Sequence, residues 1–327
     1  MNTRVSWLLG VALVAGLVAG CQSNEAPSTD ASGPTYQFVE AWGGAGTEPS
    51  QFLEPIGIEV VGEEIVVSEA GNRRLQVLDR EGTALRQVGP ALPSGDSLRR
   101  PMHIAAAGST LYVPDYNTDR VHVLSLEGSP QRTVDGSGLD GAGIPAAFDA
   151  PGGVAVDANG RLYVADFYNH RVVRLREGGA FDRQWGVTDS TGGADDRLSY
   201  PTDVAVHPDG GFVVADAYNH RIKRYAADGS LAWIRPEDRN WEGSDEGQFN
   251  VATAVATGPE GRIYVADFYN HRIQIFSAEG EFLTAFGEQG DGEGQFERPV
   301  DVAVGDDGTL YVVDFGNDRI QVFSPEL

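Results

Sequence analysis

The chain has 327 residues, of which 41% are hydrophobic and 22% charged, so it is long enough to bury a large core. Its 48 acidic residues against 24 Lys plus Arg give a formal net charge of −24, and Lys223 is its only lysine. Because affinity for phosphate backbones comes from Lys and Arg that displace counterions, this composition excludes nucleic acid as an expected partner. The one cysteine, Cys21, excludes a disulfide framework and any zinc module built from cysteines.

The first 21 residues predict export to the cell envelope. Arg4 gives a charged start, an apolar run covers residues 7–18, and the run closes on LVAGC at 17–21. This run is too short and too rich in small residues for a membrane-spanning helix. Its end resembles the bacterial lipoprotein signal, which implies a signal peptide at 1–20 and lipid on Cys21; the alternative is an ordinary secretory signal. The residue after Cys21 is Gln22, not the aspartate that retains lipoproteins at the inner membrane, so we expect outer-membrane anchoring in a Gram-negative cell.

Residues 21–35 predict a flexible linker between the lipid and the folded domain. Residues 22–35 contain no large apolar side chain that could offset the entropy of ordering the segment. The folded domain is therefore expected at 36–327.

From residue 36 the chain repeats itself. One phrase, with β-branched and aromatic residues on both sides of an Asn-centred break, occurs at 65–78, 111–124, 162–175, 212–225, 263–276 and 310–323. Its acidic residue recurs at intervals of 46, 51, 50, 51 and 47 residues. Such a period fits one four-stranded blade per repeat and is too long for a leucine-rich or helical repeat.

Each blade is predicted from three signals. The repeated phrase predicts two strands around a tight turn, an upstream phrase predicts the innermost strand, and a glycine turn precedes the outermost strand. The last blade lacks its outer strand, whereas residues 36–43 carry the outer-strand phrase without a blade of their own. Pairing these two ends would remove an exposed sheet edge. The sequence therefore predicts an all-β, six-bladed β-propeller of four-stranded antiparallel blades.

The blade phrase, for example GQF at 247–249 followed by YVADFYNHRIQIF at 264–276, resembles the NHL repeat over residues 36–327. Members of that family include RNA-binding and ubiquitin-ligase-associated modules, sensor domains of bacterial kinases and an amidating lyase. Related six-bladed propellers include lactonases and an antibiotic lyase. A ligase module would need a RING or B-box, which one cysteine cannot supply, and RNA binding would need a basic face. The resemblance is specific for architecture and weak for activity.

An acidic residue and an arginine recur five positions apart in every blade, which we interpret as a structural clamp. An active site is needed once, whereas a clamp that fixes a turn and its strand register is needed in each blade. The six pairs are Glu69 and Arg74, Asp115 and Arg120, Asp166 and Arg171, Asp216 and Arg221, Asp267 and Arg272, and Asp314 and Arg319.

The same turns carry aromatic and histidine side chains that predict a binding face for a protein or a small molecule. The alternative is that these side chains pack between blades or cover the tunnel mouth. Because neighbouring sheets lie about 10 Å apart, the histidines are not expected to share one metal ion. The predicted face comprises Tyr116, Phe167, Tyr168, His170, Tyr218, His220, Phe268, Tyr269, His271 and Phe315.

The second residue after the start of each inner strand predicts a second kind of site. His103, Asp203 and Asp301 hold this position on blades two, four and six, and small residues hold it on the others. Three groups at threefold spacing around an axis can converge, and one imidazole with two carboxylates suits zinc, iron or manganese. The amidating lyase of the family is similar in using histidines from alternate blades, of which only His103 would remain here. The alternative is that both aspartates bond backbone N–H groups of neighbouring strands.

The sequence therefore predicts a lipid-anchored envelope propeller that serves as a rigid binding or scaffold module. Its expected partner is a protein or a small molecule on the aromatic face, and the membrane contact is the lipid on Cys21. The alternative is a metal-dependent lyase or hydrolase, with one divalent metal as cofactor in the central tunnel. No serine stands in a Gly-x-Ser-x-Gly setting and no phosphate-cradling loop is present in the sequence.

Overall fold

The computed structural model describes residues 33–137, 139, 147–237 and 242–326. The expected signal peptide, Cys21 and most of the expected linker lie outside these residues. The described strands form six four-stranded antiparallel sheets.

The first three blades contain β2 to β13. These are β2 (Pro55–Val61), β3 (Glu64–Glu69), β4 (Arg74–Leu78), β5 (Ala84–Val88), β6 (Ala105–Ala107), β7 (Thr110–Asp115), β8 (Arg120–Ser125), β9 (Pro130–Val134), β10 (Pro151–Val156), β11 (Leu162–Asp166), β12 (Arg171–Leu175) and β13 (Phe181–Gly186).

The last three blades contain the remaining strands, with β1 from the start of the domain placed in the sixth. These are β14 (Asp203–Val206), β15 (Phe212–Asp216), β16 (Arg221–Tyr225), β17 (Leu231–Arg235), β18 (Ala252–Thr257), β19 (Ile263–Asp267), β20 (Arg272–Phe276), β21 (Phe282–Phe286), β22 (Pro299–Val304), β23 (Leu310–Asp314), β24 (Arg319–Pro325) and β1 (Tyr36–Gly43).

Within a blade, short turns of defined chemistry separate strands rich in β-branched and aromatic residues. The turn between β22 and β23 is one example: the Asp307 carboxylate accepts the backbone N–H of Thr309, and Gly308 takes a φ of +83°. A side chain at Gly308 would be strained, because only glycine adopts this conformation freely. Such turns connect strands that are neighbours in the sheet, so that each strand runs antiparallel to the one before it.

The apolar core lies between neighbouring blades. Inner strands of adjacent blades contact one another all the way round the ring, including β22 against β2 and β2 against β6. At the seam between the sixth and first blades, Trp42, Phe52, Ile58, Tyr311 and Ile320 belong to one buried cluster. Each blade therefore stabilises its neighbours by burying one sheet face against each.

The ring closes by pairing the two ends of the domain. Strand β1 pairs antiparallel with β24, from Tyr36 opposite Pro325 to Gly43 opposite Arg319. Two further bonds join the Thr35 hydroxyl to the Glu326 carboxylate and the Glu326 N–H to the Thr35 carbonyl, at 2.7 and 2.9 Å. The predicted six-bladed propeller is confirmed, and its sixth blade is completed by the N-terminal strand.

Helical structure in the described ranges is confined to short 3₁₀ turns. No helix among these residues is long and apolar enough to cross a membrane.

Candidate functional site

The inner strand of each blade runs from the face with the Asn-centred turns towards the opposite face. In blade six, Pro299 pairs with Asp314 at the turn, whereas Val304 pairs with Leu310 at the far end. Residues that follow the inner-strand proline by two positions therefore lie near the turn face. Residues two positions further lie about 7 Å deeper, at about 3.3 Å per strand residue.

The structure brings His103, Asp203 and Asp301 together inside the tunnel. Each offers a ligand atom, these atoms all lie within 4.8 Å of one another, and all three side chains are buried. The His103 Nδ1 lies 3.7 Å from the Asp203 Oδ1 and has no hydrogen-bond partner among the described residues. We call these three residues the tunnel triad.

Small residues on the blades between make room for the tunnel triad. A Cβ atom on Gly153 would collide with the Asp203 carboxylate, and one on Gly57 would lie 2.5 Å from the Met102 carbonyl oxygen. The alternation of functional and small residues in the sequence therefore reflects side chains that reach across the neighbouring blade.

Backbone N–H groups hold both carboxylates of the tunnel triad. The Val255 N–H donates to the Asp203 Oδ2 at 3.0 Å, and the Ile58 N–H donates to the Asp301 Oδ2 at 2.9 Å. The Val302 N–H donates to the Asp301 Oδ1 at 2.8 Å. Both aspartates thus accept backbone N–H groups of inner strands, as the alternative interpretation of the sequence expected. These hydrogen bonds also fix the direction in which the remaining carboxylate lone pairs point.

Burial and mutual repulsion shift the ionisation of this cluster. Burial, together with the Asp203 charge, raises the pKa of Asp301 to about 7, although the His103 charge opposes the shift. Burial disfavours the charged imidazole of His103, but the carboxylates of Asp301 and Asp203 outweigh it and raise its pKa. The cluster therefore retains protons more readily than isolated side chains would.

A cavity of about 550 Å³ opens above the tunnel triad, and we call it the mouth chamber. Aromatic rings from several blades line it, with Arg100 at its edge and His103 among its lining residues. The aromatic lining residues are Tyr116, Phe167, Tyr218, Phe268 and Phe315.

Part of the aromatic face predicted from sequence lines the mouth chamber, and part lies on the exposed surface around its opening, which we call the rim. Tyr168 and Tyr269 are 45% and 54% exposed and do not line the mouth chamber, whereas Tyr218, 56% exposed, does. The Tyr116 hydroxyl donates to the Tyr168 hydroxyl at 2.8 Å, and the Phe167 ring lies 5.0 Å from that of Tyr200. The rings of the second, third and fourth blades thus support one another.

The three turn histidines join neighbouring blades through their ring nitrogens. The Nδ1 atoms of His170, His220 and His271 accept backbone N–H groups from the next blade at 3.1 to 3.2 Å. The carboxylates of Asp119 and Asp318 do the same at equivalent turns, at 2.9 and 2.8 Å. We call these contacts seam latches, and they give the histidines a structural role within the predicted binding face.

The acid–arginine pair forms in five blades, where Nε-to-carboxylate distances are 2.5 to 2.8 Å. The side-chain amide of an asparagine three residues after the acid donates a hydrogen bond to the same carboxylate, as from Asn219 Nδ2 to Asp216 Oδ2 at 2.9 Å.

The second blade differs from the expectation. Arg120 pairs with Asp96 at 3.5 Å, while Asp115 accepts the backbone N–H groups of Arg99 and Arg100. Thr118 stands where the other blades have asparagine, and the Arg120 side chain is 40% exposed. The predicted Asp115–Arg120 clamp is therefore replaced by a more solvent-exposed pair.

Sequence reasoning missed three residues of the tunnel region: Glu59, Arg100 and Tyr200. Glu59 had a detectable signal in the sequence. It lies two residues after Gly57, and in every other blade the corresponding residue is alanine. Those alanines are Ala105, Ala155, Ala205, Ala256 and Ala303.

Comparison with known proteins identifies the repeat. Four segments, at 148–175, 198–225, 249–276 and 296–323, match the family described as the NHL repeat. Over 45 residues the chain is 53% identical to Protein brain tumor of Drosophila melanogaster, a stretch that is 14% of this chain and 4% of that protein.

Solved structures share the fold at low sequence identity. A protein of unknown function from Bacteroides thetaiotaomicron is 15% identical with a TM-score of 0.69, covering 90% of this chain and 76% of its own. A gluconolactonase from Xanthomonas campestris is 13% identical, with a TM-score of 0.64 and coverages of 90% and 100%. Virginiamycin B lyase from Staphylococcus aureus is 12% identical, with a TM-score of 0.58 and coverages of 89% and 99%. These likenesses establish the fold and leave the activity to the residues of the site.

Proposed function

Because the chain is an NHL-repeat six-bladed β-propeller, we propose that it is a binding module that receives a small-molecule ligand in the mouth chamber. The observation that carries this proposal is the aromatic chamber of about 550 Å³ at the tunnel entrance. Its volume lies in the range of about 300–1,000 Å³ that is typical of small-molecule sites. A protein partner on the surrounding rim is the competing form of the same proposal.

The frame around the chamber favours binding without large rearrangement. Clamps fix the turns that carry the rings in four blades, the second blade being the exception, and seam latches join the ring-bearing turns to the next blade. A preorganised site loses less conformational entropy on binding. The ligand would therefore meet a surface that is already assembled.

Our proposal places this module in the cell envelope, tethered by lipid on Cys21. The support is the sequence at 17–21 and the polar linker that follows it. Metabolic labelling with a lipid precursor, compared between the wild type and Cys21→Ser, tests the anchor directly.

Matched tyrosine variants test the mouth chamber. Tyr218 and Tyr269 hold the same turn position and similar exposure, but only Tyr218 lines the chamber. We expect small molecules that raise the melting temperature of the wild type, found by screening cell extracts, to lose their effect on Tyr218→Ala and to keep it on Tyr269→Ala. Equal effects on both variants would place the ligand elsewhere, and a rim-binding protein would require both tyrosines.

The tunnel triad favours a second candidate function, a metal-dependent lyase or hydrolase. One imidazole and two carboxylates offer ligand atoms within 4.8 Å of one another, and the His103 Nδ1 lacks a described partner. This donor set fits zinc, iron or manganese. When bound, such a metal would supply a Lewis acid to a ligand oxygen, while His103, Asp203 and Asp301 would hold it.

Metal content decides between the two candidates. The chain from residue 22, without a histidine tag, is purified and measured by mass spectrometry and by melting with and without chelator. About one equivalent of a transition metal, lost together with several degrees of melting temperature and absent from His103→Ala, would favour the enzyme. Absence of metal and of any chelator effect would leave the binding module as the better account.

A further inference from the structure

One carboxylate in the tunnel belongs neither to the tunnel triad nor to a clamp. Glu59 lies on β2, where the other five blades place alanine. It follows Gly57 by two residues, so it lies about 7 Å further from the mouth chamber than the level of the tunnel triad. Glu59 is not among the residues whose ligand atoms cluster with His103.

Glu59 faces a second cavity, of about 230 Å³, which we call the inner chamber. This volume is about eight times the share of one water molecule in the liquid, which is ~30 Å³. The wall is formed mostly by alanine and valine side chains from the inner strands. It includes Val60, Ala105, Ala155, Val206, Ala256 and Val304.

The lining residues of the inner chamber contain no lysine and no arginine. Their charged groups are Glu59, the two aspartates and the imidazole of the tunnel triad. Three carboxyl groups thus line one chamber, and His103 is the only side chain among the lining residues that can carry a positive charge. A buried charge without a partner is costly, so this chamber electrostatically favours a cation.

The contacts of Glu59 leave part of its carboxyl group free for a ligand. The Ala106 N–H donates to the Glu59 Oε1 at 3.2 Å, while its side chain remains half-buried against the chamber. Burial and the nearby charges of Asp301 and Asp203 raise the pKa of Glu59 to about 8, although the Ala106 N–H opposes this. His103, whose buried Nδ1 has no hydrogen-bond partner among the described residues, also lines this chamber.

We propose that the inner chamber binds a small organic cation, with an ammonium group paired to Glu59 and an aliphatic body against the alanine and valine wall. The chamber exceeds the volume of a single metal ion, and most side chains in its wall are aliphatic. Both features match a short alkylammonium group better than a bare metal cation. Glu59 lines this chamber and not the mouth chamber, whereas His103 lines both.

The probe is propylammonium, with propanol as its neutral counterpart, at constant ionic strength in sodium chloride. Binding to the whole domain is followed by ligand-detected NMR. We expect saturable binding of propylammonium and none of propanol. Removing a charged hydrogen bond should weaken binding by about tenfold or more, so Glu59→Ala and Glu59→Gln should both lose it.

Glu64→Gln is the matched control, because Glu64 lies on the same hairpin but pairs with Arg86 outside the chamber. It should leave propylammonium affinity unchanged. Glu59→Ala should melt at or above the wild-type temperature, since alanine is the residue of the other blades and the buried carboxyl is removed. Unfolding therefore cannot explain its loss of binding.

Two outcomes would overturn the proposal. One is equal affinity of the wild type and both Glu59 variants for propylammonium. The other is competition in which zinc or calcium displaces propylammonium equally from the wild type and from Glu59→Gln, which would place the cation at the tunnel triad.

Discussion

Arg221 lies fully buried beneath a turn of the fourth blade. Its Nε donates to Asp216 at 2.6 Å, and its terminal nitrogens donate to the carbonyls of Gly193, Ala194 and Arg197. Arg221→Ala would leave a buried carboxylate and several carbonyl groups without their donor. We expect the free energy of unfolding, measured in denaturant, to fall by about 3–5 kcal/mol.

Arg120→Ala provides the comparison at the same position of the second blade. Arg120 is 40% exposed and pairs with Asp96 at 3.5 Å, so its loss should cost about 1 kcal/mol or less. Similar losses in the two variants would contradict the view that buried clamps stabilise the blades.

Lys223, the only lysine, is buried in the same blade. Its Nζ donates to the carbonyls of Asp195 and Arg197 at 3.0 and 2.6 Å. Burial lowers the pKa of Lys223 to about 8. Equivalent positions on three other blades hold glutamine, namely Gln76, Gln274 and Gln321.

This burial makes stability depend on pH. The unfolded lysine keeps its proton up to about pH 10.4. Between about pH 8 and 10.4 the unfolded chain therefore binds more protons, and the free energy of unfolding should rise with pH through this group. Lys223→Gln should remove that rise, on the order of 1–3 kcal/mol, in unfolding measured across this window. Parallel curves for the two proteins would refute it.

The sequence pattern predicted the tunnel triad because its three positions recur in phase with the repeat. Glu59 was missed although it differs from the alanine of the other five blades. It occurs in one blade only, so no recurring interval draws attention to it. The seam latches were also missed, because His170 and its partner Tyr200 are separated by a whole loop and share no motif.

At the level of the blades, the seams are held by latches that differ in chemistry. The Tyr200 N–H donates to the His170 Nδ1 at 3.2 Å, which requires that nitrogen to be unprotonated. Burial lowers the pKa of His170. The latch is therefore complete above about pH 6.5, the unfolded value, and is lost as the pH falls through the lower folded value.

His170→Asn should keep the latch and remove its pH dependence. Asparagine offers an acceptor oxygen and tolerates the φ of +54° at this turn. His170→Ala should cost about 1 kcal/mol at neutral pH because the Tyr200 N–H loses its acceptor. Thermal unfolding from pH 5 to 7.5 separates the three proteins. Because His220 and His271 form the same latch, the asparagine variant should lose only part of the acid sensitivity, and a sensitivity equal to that of the wild type would exclude the His170 latch as a cause.

The seam between the first and second blades has no histidine or aspartate latch, because Arg73 holds that turn position with a φ of +55°. Arg100 and Glu54 instead meet there at 3.3 Å. The second blade also lacks the repeated asparagine. The strands could be predicted from the recurring pattern of apolar residues. The contacts between the first and second blades could not, because they depend on single residues in loops that differ from the repeat.

For the whole molecule, stability depends on closing the ring. Removal of residues up to 43 would expose the edge of β24 and take Trp42, 5% exposed, out of the core. Loss of a buried tryptophan alone costs about 3–5 kcal/mol, so we expect a large fall in melting temperature together with aggregation.

Removal of residues up to 34 is the control, because it spares the Thr35 bonds to Glu326. That protein should melt like the full chain. If the longer truncation also melted normally, β1 would be dispensable and the closure would carry no stability.

The number of blades, their strand order and the closing strand all followed from sequence, because a propeller repeats one local pattern and leaves one strand over. The two cavities did not follow, because their volumes depend on how side chains from six inner strands meet around the axis.

The closing strand also determines how the domain responds to mechanical load. Any pull transmitted through residues before Tyr36 enters the ring at β1 and is carried by its hydrogen bonds to β24. The bonds between Thr35 and Glu326 stand first in this path. A pull on this end of the domain would therefore strain the pairing of β1 with β24 before it strained the other five blades.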